Sequence, residues 1–329
     1  MSSSSEVEIL LATYNGDRFL REQIDSILMQ DYADIRILAR DDGSTDRTLE
    51  ILSEYVARFP DRFRLLPSMP PTGGAKNNFL RLMEASTADR ICFCDQDDVW
   101  SPDKVSRTKQ EMDILASRWG IDVPLLVFTD LRVVDENLNI LHGSLWAKMN
   151  IDPGCMANFA RLLVQSVVTG CTAMINRRLL ELSLRMPEQA SMHDRWIGLL
   201  VSGMGKYSFV KTPTVLYRQH GRNVIGTGTA PQARSLLERF LHPRMAQKHF
   251  IQWKNSQEQA AAFLKLYAAE LPPGKRDLIM AYLRCGTSKS RLIRIATLIR
   301  YGFYYPGILS NLLSVFNLWN VKLDKHGAG

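Results

Sequence analysis

Residues 90–100 read Arg90-Ile-Cys-Phe-Cys-Asp-Gln-Asp-Asp-Val-Trp100, an apolar run that passes directly into a group of carboxylates. A short apolar stretch of this kind is what a strand buried on both faces of a parallel sheet requires. Asp95, Asp97 and Asp98 then fall at the carboxyl end of that strand, where open α/β sheets hold their ligands. Carboxylates this dense repel one another unless protons or a cation compensate. Oxygen donors at this density suit a hard divalent ion, Mg2+ or Mn2+. A solvated turn, with Asp98 or Asp103 capping the next helix, is the alternative.

The residues upstream repeat the pattern. Val7-Glu-Ile-Leu-Leu11 and Ile35-Arg-Ile-Leu-Ala39 read as buried strands, and Arg64-Leu-Leu66 as a third. Phe19, Leu20, Gln23, Ile24, Ile27 and Leu28 follow helical spacing, and Asp46 caps a helix through Leu49, Ile51, Leu52 and Val56. Pro67 to Asn78 is a loop, and Phe79, Leu80, Leu82 and Met83 open another helix. This β-α-β-α order predicts an α/β fold, a mostly parallel sheet with helices on both faces. Polar clusters end three of the strands: Thr13-Tyr14-Asn15, Asp41-Asp42-Gly43-Ser44 and Asp95-Gln96-Asp97-Asp98. Their convergence on one sheet edge says more than any one of them. Farther along, Leu125 to Asp130, Ala173 to Ile175 and Val215 to Tyr217 read as strands, and Asp194 to Val201 as a helix. Gly226 to Pro231 reads as a linker, which divides the chain into a domain of 1–230 and a mostly helical region of 231–329.

Composition sets the outer limits. A chain of 329 residues with 46% hydrophobic and 23% charged residues builds a large core, which excludes wholesale disorder. The start, Met1-Ser-Ser-Ser-Ser-Glu6, lacks the basic and apolar regions of a signal peptide. Five scattered cysteines without zinc spacing fit a reducing compartment. A cytoplasmic location is therefore expected. Residues 231–329 carry 15 Lys and Arg against 5 Asp and Glu, a net of +10, whereas 1–230 carry 26 against 29, a net of −3. Within that basic tail, Arg276, Arg284, Lys289, Arg291, Arg294 and Arg300 are interleaved with apolar residues, and Tyr301 to Val321 carries no charge. Leu309, Leu312, Leu313, Phe316 and Trp319 recur on one helical face. Such a helix packs on the protein or lies on a membrane, and the expected partner is the anionic inner face of the membrane rather than nucleic acid.

In order along the chain stand Leu11-Ala-Thr-Tyr-Asn-Gly16, Asp41-Asp-Gly-Ser-Thr-Asp46, Asp95-Gln-Asp-Asp-Val-Trp100 and Tyr217-Arg-Gln-His220. This set resembles family 2 glycosyltransferases of the GT-A fold, and in particular the bacterial branch that includes rhamnosyltransferases of surface polysaccharide assembly. The resemblance spans roughly residues 6–225. It implies a metal-dependent, inverting transfer of a sugar from a nucleoside-diphosphate donor, dTDP-L-rhamnose or a UDP-sugar, to a hydroxyl of a glycan or lipid-linked acceptor.

The resemblance also assigns residues. Thr13, Tyr14 and Asp41 fall where the family contacts the base and ribose, Lys76 where related enzymes approach the nucleotide, and Asp95 at the ribose and metal. Asp41 also suits ordinary turn chemistry, and Lys76 a solvated loop. Asp97 takes the place of the principal metal ligand, His220 completes the metal site, and Arg218 faces the diphosphate. In Met192-His-Asp-Arg-Trp196, Asp194 takes the place of the general base, with His193 as the fallback; a helix cap is the other reading of Asp194. Gly170-Cys-Thr-Ala173 resembles the loop near sugar and acceptor, and Thr129-Asp130 the acceptor side. Two departures stand out: Ala12 where the family often has proline, and no Gln-x-x-Arg-Trp motif, which disfavours a processive synthase. A noncatalytic glycan- or membrane-binding scaffold and a metal-dependent phosphohydrolase are the competing functions.

Overall fold

A computed structural model describes residues 5–220, 243–304, 311, 312 and 315. The front of the chain alternates as the sequence predicts: β1 (Val7–Thr13), α1 (Leu20–Leu28), β2 (Ile35–Asp41), α2 (Thr48–Arg58), β3 (Phe63–Leu65), α3 (Ala75–Ala85) and β4 (Arg90–Asp95). Then come β5 (Val99–Trp100), α4 (Lys104–Trp119), β6 (Leu125–Val134), β7 (Ile140–His142), α5 (Leu145–Met149), α6 (Phe159–Val164), β8 (Met174–Asn176), α7 (Arg177–Ser183), α8 (His193–Met204) and β9 (Lys206–Arg218). The C-terminal helices are α9 (Pro243–Tyr267), α10 (Pro273–Thr287) and α11 (Arg291–Tyr301).

One sheet runs in the order β3-β2-β1-β4-β8-β6-β9-β5, with β7 on β6. The strands β3, β2, β1 and β4 are parallel, and the register sets Thr13 beside Asp41 and Ala12 beside Asp95. That register brings the carboxyl ends of β1, β2 and β4 level, so their polar loops share one edge. Every residue of β1 is buried because helices cover both faces. Beneath it, Val7, Ile9 and Leu11 share a core with Leu20, Ile24 and Ile27 of α1. The strand β8 is antiparallel to both β4 and β6, while β9 runs parallel to β6.

Two elements differ from expectation. The helix α3 begins at Ala75, not Phe79, because Asn78 is drawn into the sheet: its amide donates to the Arg40 carbonyl at 3.1 Å and accepts from the Arg40 guanidinium at 2.9 Å. The strand β9 begins at Lys206, well before Val215, because a register shift against β6 takes up Pro213 opposite Asp130.

The described residues form two compact units. One holds those of Met1–Pro153, Val168–Met186 and Met192–Gly226; the other holds those of Gly154–Val167, Pro187–Ser191 and Thr227–Gly329. In the second unit α6 lies with the C-terminal helices, and Phe159 meets Phe263. No described helix is long and apolar enough to cross a membrane. The linker Gly226–Pro231, and all of Leu309–Trp319 except Asn311, Leu312 and Val315, lie outside the described residues.

Candidate functional site

The edge is built from two loops that bond each other. After β1, Asn15 adopts a left-handed φ of 48°, donates its amide to Ser44 Oγ at 2.8 Å and accepts from the Thr45 amide at 2.9 Å. The Gly16 amide donates to Thr48 Oγ1 at 2.8 Å. Asp46 accepts from the Thr48 amide at 3.0 Å and so anchors the start of α2. Thr13 and Asp41, both buried, are tied to each other at 3.0 Å. The Asp41 carboxylate also accepts from the amides of Gly43 and Ser44 at 3.0 and 2.8 Å and from Ser44 Oγ at 2.5 Å. Asp41 thus holds its own turn. Tyr14 is 57% exposed at the mouth of the edge.

Neighbouring Asp42 does work that the sequence did not reveal. Burial pushes its pKa up, but donors from Thr72, Gly74 and Arg40 outweigh that and hold it low. Arg40 pairs with Asp42 at 3.0 Å and donates to the carbonyls of Ser68 and Pro70. This buried pair fastens the Pro-rich loop to the sheet. Lys76, half-buried, sits in the first turn of α3 directly after that loop.

Gln96, in the middle of the acidic motif, is a second residue whose role was not legible. Its amide pairs with the Tyr14 backbone, accepting from N at 2.7 Å and donating to O at 2.8 Å. A Cβ on Gly16 would lie 2.3 Å from Gln96 Cδ. Gly16→Ala is therefore expected to destabilise the protein by about 1–3 kcal/mol. Adding Gln96→Ala should recover part of that loss in thermal unfolding.

The acidic motif itself is compact. Asp98 is fully buried; one carboxylate oxygen accepts from the Arg218 amide at 3.2 Å, and Oδ2 has no hydrogen-bonded oxygen or nitrogen. Burial, then Asp97 and Asp95, push its carboxyl well above the usual range. The Cys171 thiol lies against Asp98 and is kept protonated by burial and by the Asp98 and Asp95 charges. Ligand atoms of Asp95, Asp98 and Cys171 lie within 4.8 Å of one another. Tyr217 faces the same charges, and burial raises its phenol further. Asp97 Oδ2 is 2.7 Å from His220 Nε2, and that imidazole rests against Phe19 with ring centroids 5.1 Å apart.

Asp194 joins this group from the first turn of α8. Its carboxylate accepts from the Arg195 amide at 2.6 Å and from the Gly170 amide at 3.1 Å. Burial pushes its pKa up to about 6, against those bonds. Asp95 is pushed up to about 7 by burial, by Asp97 and by Asp194. Asp194 reaches this group through the Gly170 amide, which precedes Cys171 beside Asp95 and Asp98. Among the described residues, the group of Asp95, Asp98 and Cys171, with the unpartnered Asp98 Oδ2 in it and the Asp97–His220 pair on the same turn, has the donor chemistry of a divalent-cation site.

Three expectations change. Arg218 is 1% exposed and already spent: Nε donates to the Asp97 carbonyl at 2.8 Å, Nη1 to the Glu136 carbonyl, and Nη2 pairs with Glu22 at 2.5 Å. It clamps the Asp97 turn instead of facing a diphosphate. Arg218→Met orphans two carbonyls, so unfolding free energy should fall by at least ~2 kcal/mol, read by denaturant titration. His193 is buried between Phe79 and Phe93, at ring centroids of 4.1 and 5.0 Å. Neither of its nitrogens has a partner, and burial drives its pKa down to about 3. That environment suits packing beneath Gly170, where an added Cβ would come within 2.7 Å of Nε2, and not proton transfer. Asp130 accepts from the Leu145 and Trp146 amides at 3.2 Å, and Thr129 bonds Thr214 at 2.6 Å, so both are buried and engaged within the sheet.

The family model for glycosyl transferase family 2 matches residues 8–182. The chain is 30% identical to a dTDP-rhamnosyl transferase, RfbG, of Shigella flexneri over 236 residues, covering 68% of this chain and 76% of that protein. It is 29% identical over 133 residues to a putative glycosyltransferase, EpsE, of Bacillus subtilis, covering 40% of this chain and 48% of that one. Among solved structures, the S. aureus TarS fragment 1–349 in complex with UDP-GlcNAc superposes with a TM-score of 0.52 at 12% identity, covering 94% of this chain and 90% of that one. That likeness establishes the fold, a mixed α/β sheet of the GT-A kind with C-terminal helices.

Proposed function

Because the chain belongs to glycosyl transferase family 2 and is a glycosyltransferase, we propose that it moves L-rhamnose from dTDP-L-rhamnose to a hydroxyl of a growing surface polysaccharide or lipid-linked glycan, with inversion at the anomeric carbon. The rhamnose assignment is supported by the similarity to the Shigella flexneri dTDP-rhamnosyl transferase. The single observation that carries the chemistry is that the Asp194 carboxylate is bonded to the Gly170 amide, next to Cys171, whose thiol lies within 4.8 Å of the Asp95 and Asp98 carboxylates.

The donor lies along the edge made by β1, β2 and β4, with its base toward Tyr14 and Thr13 and its diphosphate toward Asp95 and Asp97. Asp41 and Gln96 keep the walls of that edge in place. Asp194 accepts the proton of the acceptor hydroxyl as its oxygen bonds the anomeric carbon, while the bond from that carbon to the diphosphate oxygen breaks and the nucleoside diphosphate leaves with the electron pair. The Gly170 and Arg195 amides hold the Asp194 carboxylate toward the incoming hydroxyl. Asp95, Asp97 and His220 would hold a divalent cation, which when bound would supply positive charge against the departing diphosphate. A lipid-linked acceptor supports a working location at the inner face of the membrane.

The test is product analysis after incubation with dTDP-L-rhamnose or UDP-sugars, a lipid-linked glycan extract and Mn2+ or Mg2+. The expected product is the acceptor carrying one added rhamnose, and chelation of the metal abolishes it. Rhamnose 1-phosphate and dTMP formed at the same rate with and without acceptor would instead establish a phosphohydrolase, and absence of both turnover and nucleotide binding a scaffold.

A further inference from the structure

The C-terminal helix α11 is inverted in polarity. Its inward face carries a charge: Arg294 is 2% exposed, and its guanidinium donates to the Ser288 carbonyl at 2.6 Å. Leu298, one turn later on the same face, is also buried. The exposed residues are mostly aliphatic, with Arg291 and Arg300 at the ends of the helix. Leu292, Ala296 and Ile299 recur at helical spacing, and Leu292 and Ile299 are 72% and 57% exposed. Ile293, 56% exposed, borders them. A helix that turns its branched aliphatics to water and keeps an arginine inside has an outer face shaped for something other than water.

The charge around this face indicates what that is. Arg284, Lys289, Arg291 and Arg300 are exposed around it. From Leu278 through Leu323 the sequence holds no acidic residue at all. Exposed aliphatic side chains flanked by basic ones, in a stretch of sequence free of carboxylates, complement a surface that is apolar below and anionic above. We propose that α11 docks on an anionic lipid surface, with Leu292, Ile293 and Ile299 inserted at the headgroup boundary and Arg300 and Lys289 paired with lipid phosphates. The snorkelling geometry of arginine and lysine suits that depth. This deepens the membrane location proposed above and is independent of the transfer chemistry.

The test uses the full chain with phosphatidylglycerol vesicles and, in parallel, phosphatidylcholine vesicles. Wild-type protein is expected to float with the former and not with the latter, and binding falls as salt rises. Leu292→Glu with Ile299→Glu should lower the partition constant about 100-fold, since each side chain contributes roughly a factor of ten or more on burial. Arg300→Glu with Lys289→Glu should lower it about tenfold or more. All four positions are exposed, so the midpoint of thermal unfolding and transfer to a water-soluble acceptor should not move. Wild-type protein that fails to bind, or a Leu292→Glu/Ile299→Glu protein that binds as wild type, overturns the proposal. A large drop in unfolding temperature in that variant means that residues 305–329 or other parts of the chain cover the face. A change from dimer to monomer means that a second copy covers it; either result also overturns the proposal. Loss of transfer in the wild type would count against the proposed reaction and leave this inference standing.

Discussion

Asp194→Asn lowers kcat by roughly 10²–10⁴-fold while the dissociation constant for the nucleotide donor stays near that of wild type. Asparagine keeps the size of the side chain and one acceptor oxygen, so one of the two bonds from the Gly170 and Arg195 amides is retained and the other is lost, a small cost at the start of α8. What it loses is a site for the acceptor's proton. The loss then appears in the chemical step and not in donor binding. Wild-type protein carries a second signature. Burial raises the Asp194 carboxyl from 3.8 to about 6. The protonated form cannot accept a proton, so the rate climbs as pH rises through about 6 and levels above it. The Asp194→Asn protein should lack that inflection. A variant that retains near-normal kcat, or the same inflection, would assign the base to another group. His193 is a poor candidate, because it is buried between two phenylalanines with neither nitrogen paired.

Asp97→Ala produces the other large effect, of a different kind. Asp97 joins the two halves of the site. Its carboxylate meets His220 from the end of β9, and its carbonyl takes the Arg218 guanidinium. Removing the carboxylate leaves the carbonyl clamp intact, so the fold should survive. The cation loses a principal ligand, so transfer should fall by about 10³-fold or more through a higher KM for both donor and metal. Added Mn2+ should recover activity only in part. Asp98→Asn, by contrast, neutralises a fully buried carboxylate whose pKa is already raised. An equal loss of metal affinity in Asp98→Asn would make Asp98 a ligand as well, as its place beside Asp95 and Cys171 allows, whereas a small loss would leave Asp97 as the principal one.

The parts legible in the sequence share one physical property. The strands β1, β2 and β4 are apolar runs buried on both faces, and a buried parallel strand cannot be written otherwise. Their polar ends then fall together by register alone, which is why Thr13, Asp41 and Asp95 could be placed on one edge before any coordinates. What could not be read were roles set by distant partners. Arg218 beside an acidic site suggests an anion ligand. Its fate is set by Glu22 and by the Glu136 carbonyl, 196 and 82 residues away in the chain. Asp41 looks like a residue that reaches out to a ligand until its own loop is seen to supply its donors. Gln96 offered a faint signal, since a glycine at position 16 across the edge leaves room for its amide, but only the fold puts the two side by side. The polarity of α11 was hidden for the same reason: spacing shows that a helix has two faces and not which of them is covered.

The central claim is that carboxylates at the end of β4 hold a divalent ion on the donor's diphosphate, opposite Asp194. Calorimetric titration of dTDP, with and without Mn2+, into wild-type, Asp97→Ala and Asp194→Asn proteins tests it directly. The account predicts that Mn2+ tightens dTDP binding about tenfold or more in the wild-type and Asp194→Asn proteins and has no effect on Asp97→Ala. An equal gain in Asp97→Ala, or none in the wild type, would contradict it.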